Sequence, residues 1–229
     1  MKTIGLIGGM SWESSLEYYR IINEETKNRL GGLHSAKCIL YSVDFAEVER
    51  YQADGDWESA GHLLATVAQS LEKAGAEFIV ICTNTMHKVS EYMEEKITIP
   101  ILHIADTTAY QIQQSKISTI GLLGTKYTME QDFYKSRIKS KGIKVLVPSE
   151  EDREIVNRII YDELCLGTIQ QASREAYKQI IERLIENGAE GIILGCTEIG
   201  LLVKQEDSKV PLFDTTVIHA QEAVNKALE

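Results

Sequence analysis

A threonine at position 83 and a cysteine at position 196 end two stretches of this 229-residue chain that read as copies of one another. Residues 78–87 run Phe-Ile-Val-Ile-Cys-Thr-Asn-Thr-Met-His, and residues 191–198 run Gly-Ile-Ile-Leu-Gly-Cys-Thr-Glu. Their lead-ins both carry Gly-Ala-Glu, and setting Gly75 on Gly188 makes Thr83 fall on Cys196 (196 − 83 = 113). A buried apolar run ending in a polar, nucleophilic residue reads as a strand that delivers chemistry at its carboxyl end. Two such deliveries on a duplicated scaffold predict a site built between the copies.

Cys196 is the sharpest of these residues. It ends a strand and precedes Thr197 and Glu198 at an expected helix N-terminus, where the helix dipole lowers a thiol pKa and free N–H groups hold a carboxylate. That placement makes it a usable base. Cys82 precedes Thr83, and successive strand residues face opposite ways, so Cys82 is expected to pack in the core. Cys38 and Cys165 read as packing residues too. His87 and Glu198 are candidates to support the site from behind the reacting groups, Glu198 by tuning Cys196 or orienting a substrate amine. No cysteine sits in a C-x-x-C pair and no histidine spacing implies a metal.

The elements that must position these residues repeat as well. Thr3-Ile4-Gly5-Leu6-Ile7-Gly8 returns as Thr119-Ile120-Gly121-Leu122-Leu123-Gly124 (119 − 3 = 116), and Asp106-Thr107-Thr108 returns as Asp214-Thr215-Thr216. Strands are expected over residues 3–8, 37–44, 78–82, 99–104, 119–124, 144–147 and 191–195. A capping box at Ser14-x-x-Glu17 opens a helix that turns Leu16, Tyr19, Ile21 and Ile22 toward a core and stops at Gly31-Gly32. Residues 45–56 read as a long loop with a helical turn, and Gln52 lies in it. A helix is expected over residues 85–95, another opening at a second capping box, Thr128-x-x-Gln131, and a closing helix over 217–228. Alternating strands and helices define an α/β fold, two pseudo-symmetric doubly wound parallel-sheet subdomains with the active site in the cleft between them. The first half spans residues 1–115, joined by a C-terminal helix over 216–229, and the second spans 116–215. The Gly8-Gly9-Met10 turn lacks G-x-G-x-x-G spacing, so it reads as a tight turn and not a dinucleotide site.

Composition narrows the class of partner. A net charge of −10 argues against nucleic acid and anionic membrane surfaces. No apolar run approaches the roughly 20 residues of a membrane span, and residues 1–10 read as too short and too glycine-rich for a signal peptide. Four scattered cysteines fit free thiols in a reducing, cytoplasmic compartment.

The chain resembles the aspartate/glutamate racemase family of cofactor-independent amino-acid racemases. The likeness rests on Gly-Gly-Met-Ser-Trp-Glu-Ser at residues 8–14, Cys-Thr-Asn-Thr-Met-His at 82–87 and Gly-Cys-Thr-Glu-Ile at 195–199. It implies two α/β halves, a homodimer, an amino-acid substrate, and one proton-transfer residue from each half acting without pyridoxal phosphate or metal. The family has cysteine before Asn-Thr-x-His where this chain has Thr83, so the chain is similar to the atypical Thr/Cys branch specific for L-aspartate and L-glutamate. Thr83 and Cys196 are then the catalytic pair, Cys196 deprotonating the L-enantiomer and Thr83 reprotonating the other face. Met10, Gln52, Thr83, Asn84, Thr85 and Thr197 are the substrate-binding candidates. A threonine hydroxyl is a far weaker acid than a thiol, costing roughly 10 kcal/mol more to ionise, so Thr83 is a very poor base but can still donate a proton. Two other readings fit the same residues. One is a single-cysteine arylmalonate decarboxylase or maleate isomerase of the same superfamily, the other a non-catalytic acidic amino-acid binder.

Overall fold

A computed structural model describes residues 1–229. The chain divides into two units, Met1–Ile104 with His219–Glu229, and Ala105–Ile218. The first unit begins with β1 (Ile4–Gly8), α1 (Trp12–Leu30), β2 (Cys38–Ser42), α2 (Phe45–Asp54) and α3 (Trp57–Lys73). It continues through β3 (Phe78–Ile81), a 3-10 helix (Thr85–Val89), α4 (Ser90–Glu94) and β4 (Ile101–Leu102). Then comes α5 (Ile104–Gln114), of which only the first residue counts with this unit. The second holds β5 (Thr119–Gly124), α6 (Lys126–Glu130), α7 (Asp132–Ser140), β6 (Lys144–Leu146) and α8 (Glu150–Asp162). A 3-10 turn (Leu164–Leu166), α9 (Gln171–Glu186), β7 (Gly191–Gly195), α10 (Ile199–Leu202), β8 (Leu212–Asp214) and α11 (Thr215–Leu228) complete it. Helix α11 starts in the second unit, and from His219 onward it belongs to the first.

Each unit is one four-stranded parallel sheet, ordered β2-β1-β3-β4 in the first and β6-β5-β7-β8 in the second. Apart from the partly exposed Thr119 that opens β5, the central strands are apolar and buried, as parallel strands covered by helices are. The repeated Gly-Ala-Glu has a structural cause. Gly75 and Gly188 sit at φ 99° and 97°, a region costly for side chains bearing a Cβ. Two residues on, the carboxylates of Glu77 and Glu190 accept the backbone N–H of Thr3 at 2.6 Å and of Thr119 at 2.9 Å. The motif therefore ties the start of each third strand to the start of each first strand.

Several local expectations change. Helix α1 opens at Ser11, whose side chain accepts the Ser14 N–H, so the expected Ser14-x-x-Glu17 box does not form. Ser14 instead donates its hydroxyl to the Cys82 carbonyl at 3.0 Å. The buried face of α1 is Ser14, Ser15, Tyr18, Ile21, Ile22 and Thr26, which leaves Leu16 and Tyr19 half exposed rather than in the core. Residues 45–54 form a capped helix, not a loop, with Asp44 accepting the Ala46 N–H and Gly55 closing it in the left-handed region. Thr125, not Thr128, caps α6, and Gln131 separates α6 from α7 in an extended conformation. The helix expected over 85–95 is a 3-10 turn followed by the short α4.

Candidate active site

In the first unit the Gly8-Gly9-Met10-Ser11 turn carries β1 into α1. Gly9 has φ 91°, and a Cβ there would overlap the backbone of Val43. Its N–H donates to the Ser15 hydroxyl at 2.8 Å, and the Met10–Ser11 peptide is cis. Met10 is buried and packs in the same core as Met86. Gln52 is buried on α2 one turn after Val48 and donates its amide to the Met86 sulfur at 3.0 Å. It therefore contacts the tip residue Met86 from behind, a placement the loop reading missed although Asp44 and Gly55 signal both caps.

The tip itself is tightly held. Cys82 donates its N–H to the Ile7 carbonyl and is fully buried, and burial pushes its thiol pKa well up. Three successive carbonyls then find local donors: that of Cys82 from Ser14, that of Thr83 from the His87 ring at 2.8 Å, and that of Asn84 from the His87 N–H. Thr83, Asn84 and Thr85 are all buried, Thr83 least at 9% exposure.

In the second unit Gly124 and Gly195 are register partners on β5 and β7, and a Cβ on either would press into the other strand's backbone within 2.8 Å. Cys196 follows at once. Its thiol donates to Glu198 Oε2 at 2.9 Å, and Thr197 donates its hydroxyl to the same oxygen at 2.8 Å. Thr216 donates to the Thr197 carbonyl and Thr215 to that of Leu194, so the start of α11 clamps this tip. Burial first, and then the Glu198 carboxylate, hold the Cys196 thiol well above its ordinary pKa. This overturns the expected lowering by a helix dipole. Helix α10 is only four residues long, so few peptide dipoles add up, and a carboxylate lies nearer than the helix end.

The two strand registers place Thr83 and Cys196 at equivalent positions of their own sheets. Phe78 pairs with Ile4, and Gly191 pairs with the matching Ile120; Thr83 and Cys196 each lie five residues further on (83 − 78 and 196 − 191). Among the residues singled out from sequence, the first unit brings together Met10, Gln52, Thr83, Asn84, Thr85 and His87. The second brings together Cys196, Thr197 and Glu198. Sequence reasoning missed the roles of four residues: Ser15 holds the Gly9 turn, Ser14 ties α1 to the Cys82 carbonyl, and His219 joins Tyr18 to the Leu102 carbonyl.

Two parallel four-stranded α/β units, with Thr83 and Cys196 at matched strand ends, define the class of fold. The chain belongs to the Asp/Glu/Hydantoin racemase family, whose pattern matches residues 7–223. Over its full length it is 60% identical to a candidate Asp/Glu racemase from Yersinia pestis, with a TM-score of 0.93 and all of both chains covered. An aspartate racemase homologue from Pyrococcus horikoshii OT3 is 37% identical, again with full coverage of both chains, at a TM-score of 0.86. The broad specificity amino-acid racemase RacX of Bacillus subtilis (strain 168) is 27% identical, the alignment covering 98% of each chain.

Proposed function

We propose that this protein interconverts the enantiomers of an acidic amino acid, aspartate or glutamate, without a cofactor. Cys196 removes the α-proton of the L-enantiomer and Thr83 returns one to the opposite face. The observation that supports this reading most is the Cys196–Glu198 contact. A buried thiol cannot simply ionise beside a carboxylate, because two negative charges would share a desolvated site. Passing the thiol proton to Glu198 creates a thiolate and a carboxylic acid with the net charge unchanged, so the base forms without added burial of charge. Donors at Asn84, Thr85 and Thr197 serve to hold the substrate carboxylate and the charge that develops as the α-carbon loses its proton.

The test is incubation of L- and D-aspartate and L- and D-glutamate in deuterated buffer, following deuterium uptake at the α-carbon beside optical configuration. L-substrate should take up deuterium faster than it inverts, because a hydroxyl is the poorer acid–base group. Equal uptake from both enantiomers would refute the division of labour between Cys196 and Thr83. Carbon dioxide release from an arylmalonate without amino-acid turnover would replace racemisation by decarboxylation, and tight L-aspartate or L-glutamate binding without exchange would make the protein a binder.

The state of Glu198 is separately measurable. In Glu198→Gln the carboxylate charge beside Cys196 is gone, so the pH at which the thiol becomes reactive to an alkylating reagent should fall, while burial still keeps it above an exposed thiol. The pH dependence of Cys196 alkylation, read by mass spectrometry of its peptide, checks this. An unchanged or higher inflection contradicts it.

The assembly proposed is a homodimer. Trp12, Leu16 and Tyr19 on α1 and Leu40 on the edge strand β2 form an exposed apolar face, with Trp12 64% exposed. The repeat supplies a control: counted from the caps Ser11 and Thr125 (125 − 11 = 114), Trp12 and Leu16 match the exposed Lys126 and Glu130 of α6. The fold does not need apolar residues there, so a second copy of the chain is the cover that the first unit's face suits. Leu16→Glu should weaken self-association by about 30-fold or more, the effect of losing a central interface anchor. Sedimentation that finds wild type monomeric, or the variant still dimeric, rejects this face.

A further inference from the structure

Behind Thr83 lies a layer of buried histidines that the reaction above does not use. His87 of the 3-10 helix, His103 between β4 and α5, and His219 of α11 pack with ring centroids 4.5 Å apart for His87 and His103 and 5.7 Å for His87 and His219. Their backbone partners fix where two of the rings carry their protons. A backbone N–H only donates, so the Ile104 N–H, 3.3 Å from His87 Nε2, makes that nitrogen an acceptor. His87 Nδ1 therefore carries the hydrogen and donates it to the Thr83 carbonyl at 2.8 Å. A carbonyl only accepts, so His219 holds its hydrogen on Nε2, 2.8 Å from the Leu102 oxygen, and its Nδ1 accepts the Tyr18 hydroxyl at 2.8 Å. Burial pushes the His219 pKa down to about 4, which keeps that ring uncharged at neutral pH. With both nitrogens of His87 committed to one donor and one acceptor, its ring is neutral as well.

The second unit shows that this arrangement is peculiar to the threonine copy. By the strand registers, His87 matches Gly200 and His103 matches Asp214, so Asp214 answers to His103 and not, as the sequence repeat suggests, to Asp106. At Gly200 an added Cβ would run into the Asp214 carboxylate, so the aspartate occupies the room that an imidazole fills in the first unit. The Cys196 carbonyl is held by the Ile199 N–H at 3.1 Å, with no side chain involved. A thiol needs only an acceptor nearby. A hydroxyl, a much weaker acid, depends on exact placement to protonate a carbanion, and small misplacements are expensive.

The geometry points to His87 as the positioning residue for Thr83: a neutral imidazole, donating through Nδ1, that fixes the threonine carbonyl and with it the hydroxyl. It rests on the reading of Thr83 as the proton donor. The ring is set from behind by Ile104, and its neighbours His103 and His219 are held in turn by the fold.

Two isosteric substitutions separate this role from simple packing. Asparagine places its amide near the position of Nδ1, and glutamine places its amide near Nε2. His87→Asn keeps the donor to Thr83 and should retain inversion close to wild type. His87→Gln keeps only the contact with Ile104 and should lose inversion by about a hundredfold in kcat with little change in KM. Deuterium uptake by L-substrate, which needs only Cys196, should persist in both variants. Equal loss of inversion in the two variants, in step with thermal stability, would make His87 a packing residue and overturn the proposal. Nitrogen-15 NMR of the wild-type protein gives a readout independent of activity: hydrogen on Nδ1 is expected at neutral pH, and an Nε2–H tautomer or a charged ring would overturn it. Absence of both exchange and inversion in the wild type would instead remove the underlying reading of Thr83, leaving the tautomer measurement to decide the hydrogen bond alone.

Discussion

Cys196→Ala should lower α-hydrogen exchange from an L-acidic amino acid by about 10⁴-fold, the upper range for loss of a positioned acid–base group. The substitution is expected to be gentle on the fold. Glu198 Oε2 keeps the Thr197 hydroxyl as a donor at 2.8 Å, so no buried carboxylate oxygen is stranded when the thiol goes. The flanking carbonyls remain held by Thr215 and Thr216. Circular dichroism and a melting curve close to wild type, with exchange at background, would assign the loss to chemistry. Exchange that survives at a tenth of the wild-type rate would show that another group removes the proton.

The second large effect runs the other way. Thr83→Cys should raise inversion, most visibly from the D-enantiomer, on the order of a hundredfold. A thiol is a stronger acid than a hydroxyl by about seven pKa units, roughly 10 kcal/mol in proton affinity. The site will deliver only part of that, because the neighbouring Cys82 shows how strongly burial raises a thiol here. Stopped reactions of each D-substrate read on a chiral column measure the gain. Since the equilibrium constant of racemisation is one, the forward and reverse rates must rise together, and an increase in one direction alone would signal a side reaction. A variant no faster than wild type from either enantiomer would place the second proton transfer elsewhere.

Much of this arrangement was legible in the chain because it is written twice. The equivalence of Thr83 and Cys196 follows from counting residues past Gly75 and Gly188, and the strand registers give the same equivalence from hydrogen bonding. The apolar runs of β1, β3, β5 and β7 are buried on both faces, so their sequences are unmistakably those of central parallel strands. What escaped were choices among similar residues and partners far along the chain. Ser11 and Ser14 are both good caps; the turn at Gly9 places Ser11 at the helix start and frees Ser14 for the Cys82 carbonyl, a contact between segments 68 residues apart. Leu16 and Tyr19 have helical spacing, but the face that turns inward is polar-rich, with Ser14, Ser15 and Thr26 on it and Ser15 packed against Gly8, where no larger side chain fits. Nothing local marks His219 as a partner of Tyr18, since 201 residues separate them. The direction of the Cys196 pKa was misread because the thiol's nearest electrostatic neighbour is a side chain two residues on, not the short helix that follows.

The division of the chain bears on the order in which it can become native. The second unit, Ala105–Ile218, is one unbroken stretch, whereas the first needs His219–Glu229 as well as Met1–Ile104. On a translating ribosome the later-encoded unit therefore has all its own residues before the earlier-encoded one does. Until His219 emerges, the Tyr18 hydroxyl and the Leu102 carbonyl lack the imidazole that joins them. The amino-terminal unit must wait, partly formed, for a segment synthesised after its sibling is already whole.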